Sequence, residues 1–250
     1  MVNEFPSKTQ FIKMQKLKLS ILLLIAAFGT LKAQDFVEPF ADFFSFKECY
    51  VITQNDEEIH GKIQGATSSK GFITRLTLVD EYGVKHKFKA SQVKRFAIKP
   101  DAFTKANTIN EKTTSIRHAL KTDYNNILDR EWIYFDSERM PRGKRTGLLQ
   151  LLNPGQDDYV KVYYHPNGSK SMPISIKGIP VVGGEERTYL VVKENGDTEI
   201  VRKASFERAY RKIFADEPIM LEVRSPHFRN FAEHIANYND LRYQKMMAGK

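Results

Sequence analysis

Between positions 49 and 98 the chain is built from short β-branched runs cut by turn residues, and this rhythm limits the fold more than any other feature. Residues 49–53 (CYVIT), 58–64, 72–79 (FITRLTLV), 84–89 and 93–98 read as five strands. Asn55-Asp56-Glu57 and residues 80–83, with Gly83 available for positive φ, supply turns. Ala90-Ser91-Gln92 reads as a short helical turn before the last strand. Five short strands with that turn resemble an SH3-like or Sm-like small barrel, which closes its own edges.

The rest of the chain gives an α+β layout. Residues 101–131 are polar and weakly periodic, a connector in which Ile116, Ala119 and Leu120 could mark a helix. Residues 132–202 return to strands at 132–135, 147–152, 159–164, 171–176, 189–193 and 198–202. Pro173 makes its strand an edge, because proline cannot donate to a ladder. Asn195-Gly196 fits a type I′ hairpin turn. Phe206, Ala209, Tyr210, Ile213 and Phe214 then form one helix face. A second helix is expected with Ser225 as N-cap and Pro226 at N1, burying Phe228, Phe231, Ala232 and Ile235. The expected organisation is residues 1–33 as signal peptide, 34–100 as the barrel with an aromatic N-terminal arm, 101–131 as connector, and 132–250 as a β-rich region followed by two helices.

The N-terminus points to export. Lys13, Lys16 and Lys18 precede a short apolar run at 19–28 (LSILLLIAAF), and Leu31-Lys32-Ala33 offers a cleavage site before Gln34. The run is about half of the ~20 residues that span a bilayer, so no membrane anchor is expected in the mature form. Met14 is an alternative start. Cleavage would leave 217 residues and, with five lysines and one glutamate removed, lower the net charge from +9 to +5. Such a balance is that of a solvated surface or of one drawn to anionic envelope components. Cys49 is the only cysteine, which excludes an intrachain disulfide and a multi-cysteine zinc site.

Residues 147–155 (GLLQLLNPG), 160–166 (VKVYYHP), 178–184 (GIPVVGG) and 188–193 (TYLVVK), with the 231–241 helix, resemble uncharacterised signal-bearing envelope proteins of Bacteroidota. That resemblance implies an envelope setting and this layout, and carries no catalytic residues.

Catalytic motifs are missing. His227 and His234 lie seven apart, about 10 Å along a helix, too far for one metal ion without a third element. Gly178 to Gly184 lacks a following Lys-Ser/Thr, so a turn or bulge is expected there. Asp157-Asp158 lacks the spacing of a calcium loop. No catalytic, cofactor or metal residues are therefore assigned. A basic set does stand out as a candidate for binding an anionic surface: Lys85, Lys87 and Lys89 on one strand face, with Lys94, Arg95 and Lys99 nearby. The basic run 141–145 (PRGKR) reads as an exposed loop.

Three functions follow as expectations. The first is a non-enzymatic envelope protein that binds another protein or an anionic envelope surface, and not nucleic acid. The alternative is an envelope-polymer hydrolase whose site is assembled from distant residues. The third is an SH3-like peptide binder using Tyr50, Phe72, Tyr82, Phe88 or Phe96, which an exposed aromatic groove would favour.

Overall fold

A computed structural model describes residues 35–40, 47–69, 71–113, 119–120, 122–139, 145–166, 170–176, 179–185 and 187–249, with the strands at 170–176 and 179–185 given by backbone alone. The signal segment, residues 41–46 of the aromatic arm and most of the basic run at 141–145 lie outside the described residues.

The protein is α+β: a six-strand antiparallel barrel, a separate three-strand sheet and C-terminal helices. Strands β1 (Glu48–Thr53), β2 (Glu58–Ser69), β3 (Phe72–Val79), β4 (Lys85–Lys89) and β5 (Val93–Ile98) fall where the β rhythm puts them, with a 3-10 turn at Ala90–Gln92. They do not close on themselves. β6 (Ile133–Arg139) pairs with β5, and β7 (Thr146–Gln150) pairs with β6 and meets β3 at Ile73↔Leu148. The ring runs β2-β1-β5-β6-β7-β3 and back to β2, while among the described residues β4 is hydrogen-bonded only to β3. Barrel strands thus come from both sides of residues 101–131. The interior is filled by Val51, Ile63, Leu76, Leu78, Phe96 and Phe135.

Gly61 marks the tightest place in the wall. A Cβ there would sit 2.2 Å from the Val79 carbonyl oxygen, so only glycine lets β2 approach β3 at this point.

Three hairpins share one turn. Asp56, Gly83 and Gly196 each donate their N–H to the carbonyl three residues back, and each adopts positive φ. This is a type I turn followed by a left-handed residue. At Asn195-Gly196 it replaces the expected two-residue type I′ turn. Only Gly196 has positive φ; the Asn195 side chain instead accepts from the Asp197 N–H.

Residues 101–131 carry more helix than their pattern suggests. The expected helix near 116–120 falls largely outside the described residues, and α1 (Ala102–Thr113) precedes it. The buried positions of α1 include Thr104 and Thr108, so its inner face is polar in composition and escapes a hydrophobic period. Asp101 accepts from the Thr104 N–H at 2.7 Å and opens the helix. A short α2 (Tyr124–Leu128) follows, capped by Asp123.

The three-strand sheet is β8 (Val160–Tyr164), β11 (Tyr189–Lys193) and β12 (Thr198–Val201); β9 (Lys170–Ile176) and β10 (Ile179–Glu185) form a separate ribbon. The glycine-rich 178–184 segment thus lies mostly in a strand, one with two register shifts. The three-strand sheet is buried on both faces. Val160, Val162, Tyr189 and Val191 pack against the helices, while Tyr163, Leu190 and Val192 pack with Phe72, Leu149 and Leu151 of the barrel side. Near-continuous apolar runs such as YLVV follow from that double burial.

Helix α3 (Phe206–Ile213) buries the predicted face. A one-turn α4 (Pro218–Leu221) comes next, and α5 runs Phe231–Ala248 with Asn230 at its N-cap position. The expected start at Ser225-Pro226 is too early. Phe228 occupies a 3-10 turn, and its ring packs 5.4 Å from Phe206 and 5.7 Å from Tyr189, holding the chain off a helical path until Phe231. His227 is therefore outside the helix that carries His234, and the two do not share a face. The arm at 36–40 is neither helix nor strand. Phe36 enters the sheet–helix core and Phe40 the barrel core, strapping the two together.

Candidate functional site

The outer face of β1, β5 and β6 carries an open cleft of about 530 Å³. Antiparallel register builds it: Tyr50 on β1 pairs with Ala97 on β5, and Ala97 pairs with Tyr134 on β6. Ala97 contributes only a methyl group and is fully buried, and the tyrosines on either side of it line the cleft. Trp132 joins them, edge-on to Tyr50 at 5.2 Å. Pro154 and Gly155 form one rim, Arg130 and Glu131 another. Tyr50, Trp132 and Tyr134 are all half-exposed.

The two guanidinium groups of the cleft are held in place. Arg95 donates Nε to Asp136 Oδ1 at 2.6 Å and Nη2 to Asp136 Oδ2 at 3.0 Å and Asp157 Oδ2 at 2.9 Å, and lies 5.5 Å from the Tyr134 ring centre. The bond to Asp136 pushes Arg95 above its ordinary pKa against the cost of burial. Arg130 donates Nη1 to the Glu38 carbonyl at 2.9 Å, donates Nη2 to Asn126 Oδ1, and stacks over Phe40. Burial lowers its pKa to about 10, opposed by Glu38. Neither arginine is a mobile anion clamp. Among the described residues none bonds the phenol oxygens of Tyr50 and Tyr134 or the Trp132 indole N–H.

Beside the cleft, on the same face of β6 as Tyr134, lies a buried polar joint. Asp136, 3% exposed, also accepts from Lys161 Nζ at 3.2 Å and the Tyr163 hydroxyl at 3.1 Å. Tyr163 is also bonded to Glu138 at 2.9 Å. Burial raises the Asp136 carboxyl, and Arg95 and Lys161 outweigh it to hold the pKa below the usual carboxylate value. Burial raises Glu138. Two carboxylates thus meet at one phenol. Both oxygens of Asp136 are already engaged by cations, an arrangement that joins barrel to sheet. Among the described residues no group of three His, Cys, Asp or Glu is placed to hold a metal ion.

The six basic residues singled out by sequence separate into two places. Lys85, Lys87 and Lys89 line the exposed face of β4, with no described carboxylate in ion-pair distance. Lys94 pairs with Asp56 at 2.5 Å. Arg95 is locked as above, and Lys99 pairs with Glu48 at 3.2 Å while lying 5.9 Å from the Trp132 ring centre. Of the aromatics expected to offer a groove, Phe72 and Phe96 are core, Phe88 is half-buried, Tyr82 is exposed at a turn, and Tyr50 alone lines the cleft. Trp132 and Tyr134 were not singled out by sequence. Their one signal is that an alternating run, WIYF, places both on the same strand face. No family model, curated protein or solved structure matches the chain.

Proposed function

We propose that this is a non-enzymatic binding protein of the cell envelope whose cleft holds a proline-rich, extended segment of a partner protein. The carrying observation is the Tyr50–Ala97–Tyr134 row. Two strand spacings separate the tyrosines, about 9.6 Å. One turn of a polyproline II helix is three residues, about 9.3 Å. A segment laid across the strands would therefore offer equivalent side chains to both rings. Its carbonyls have no internal partners and its prolines have no N–H, so it is rich in acceptors. The cleft's phenols and indole N–H, bonded to no described residue, supply donors. Aromatic-lined grooves recognise this conformation because little chain entropy is lost on binding. The envelope setting is supported by the 13–34 pattern and by the resemblance of residues 132–241 to signal-bearing envelope proteins.

Trp132 is the only tryptophan and reports on the cleft directly. Titration with a panel of proline-rich peptides should shift its emission saturably, and scrambled peptides with proline replaced by alanine should not. Tyr134→Ala should weaken binding by about 2 kcal/mol, the loss typical of a central aromatic anchor, some thirtyfold in Kd. Failure of every proline-rich peptide, or full affinity in Tyr134→Ala, would sink the reading.

A further inference from the structure

The opposite side of the barrel carries a different surface. β3 pairs Val79↔Lys85, Thr77↔Lys87 and Arg75↔Lys89 with β4, and β2 brings Lys62 opposite Val79. Lys62, Arg75, Lys85, Lys87 and Lys89 thus share one exposed outer face across three strands. None forms an ion pair with a described residue. Acids at its margins include Glu81, exposed in the turn, Asp80, which meets His86, and Glu48, which faces Lys62 but bonds Lys99.

At one end of this face the β3–β4 turn exposes two apolar side chains, Tyr82 at 83% and Val84 at 52%. The turn is rigidly built. Asp80 Oδ1 accepts the N–H groups of Tyr82 and Val84, both at 2.9 Å, and Asp80 Oδ2 meets His86 Nε2 at 2.8 Å. Gly83 supplies the left-handed residue. The backbone that presents Tyr82 and Val84 to solvent is therefore already ordered, which lowers the cost of binding.

Lysines along a free edge strand also prevent edge-to-edge pairing, and that role accounts for Lys85, Lys87 and Lys89. It does not account for Lys62 and Arg75, which lie on strands already paired on both sides, or for an apolar turn at the end of the same face. We propose that this face and its turn dock the protein on an anionic lipid bilayer, the five cations lying against headgroups and Tyr82 with Val84 entering the interface. Tyrosine suits that depth because its ring is apolar and its hydroxyl wet. A soluble polyanion would match the charges but has no use for the exposed apolar turn.

The test is co-sedimentation of the purified protein with vesicles of phosphatidylethanolamine and phosphatidylglycerol, against phosphatidylcholine alone, over a salt series. Binding to the anionic vesicles should weaken as salt rises, with little on phosphatidylcholine. Each interfacial cation contributes roughly fivefold, so Lys85→Gln/Lys87→Gln/Lys89→Gln together should cut the partition coefficient on the order of a hundredfold. Tyr82→Ser/Val84→Ser should lower binding at every salt without changing the salt slope. All five positions are exposed, and unchanged Trp132 emission and far-UV circular dichroism check that the variants fold. No binding to anionic vesicles overturns the proposal. So does binding that polyphosphate displaces and that Tyr82→Ser/Val84→Ser leaves intact, because that pattern belongs to a soluble polyanion. Protein-free vesicles contain no peptide partner, so this result is independent of the cleft.

Discussion

Asp136→Asn tests whether the polar joint between barrel and sheet holds the two together. Asp136 is buried, takes two bonds from Arg95, and also accepts from Lys161 and Tyr163 of β8. The asparagine keeps the volume and one acceptor but removes the charge, leaving Arg95 with Asp157 alone. Breaking a buried pair by removing one partner costs about 3–5 kcal/mol. Arg95 retains 28% side-chain exposure and one carboxylate, which places the expected loss at the lower end, about 3 kcal/mol. Urea unfolding followed by Trp132 emission and far-UV circular dichroism should show the midpoint lowered by about 1–1.5 M. Arg95→Gln should cost a similar amount, and the double variant should fall short of the sum by about 1–3 kcal/mol, since the two share one interaction. The pH dependence follows from the depressed carboxyl. Its contribution is complete above the ordinary unfolded value near 3.8 and is lost as pH falls through the lower folded value. The gap between wild type and Asp136→Asn should therefore close on acidification below about pH 4. Glu138 is raised by burial and in part by the Asp136 charge, so its titration moves toward the ordinary carboxylate value in Asp136→Asn and adds to the difference curve. Additive single losses, or an Asp136→Asn cost under about 1 kcal/mol, would refute the joint as an energetic unit.

Gly61→Ala should destabilise by about 2–3 kcal/mol, because the new Cβ meets a backbone carbonyl that cannot move aside. Thermal unfolding should register a drop of roughly 5–10 °C, while Gly65→Ala on the same strand, with open space at its Cβ, should leave the melt nearly unchanged. Cys49 is 1% exposed, and burial together with Glu48 pushes its thiol up to about 12. Ellman's reagent should therefore not react with the native protein and should release one equivalent in denaturant; prompt native reaction would show that β1 opens readily.

Local pattern was enough for the N-terminal strands because β1, β3 and β5 each bury apolar side chains on one face, and the charged and β-branched alternation of β2 and β4 falls between turn residues. It was enough for α3 for the same reason at a period of 3.6. Pattern could not reveal that the barrel needs β6 and β7. Their decisive contact, Ile73↔Leu148, joins residues 75 positions apart, and nothing in either segment names its partner. The basic set failed in the same way. Arg95 reads as one more surface cation until the fold supplies Asp136 and Asp157, whereas Lys62 and Arg75 join Lys85, Lys87 and Lys89 only through cross-strand register. α1 was obscured by composition, since the residues it buries include two threonines. The cleft combines both failures: Tyr50 and Tyr134 lie 84 positions apart and become neighbours only because Ala97 lies between them.

The ring order gives the two proposed surfaces a definite relation. From β5 the path to β3 passes β1 and β2 in one direction and β6 and β7 in the other, so β3 is diametrically opposite β5 in a six-strand barrel. The aromatic cleft is centred on β5 and the basic face on β3. A protein seated on a bilayer through β3 and β4 would therefore hold the cleft facing away from the lipid, open to a partner in the aqueous phase. The buried joint at Asp136 lies beside the cleft on the same face of β6 and ties its Arg95 end to the three-strand sheet, while the docking turn at Tyr82 stands free of that network. Rigidity is thus concentrated where an extended peptide must be matched ring by ring. The lysine face has no such requirement, because a headgroup layer can rearrange around it.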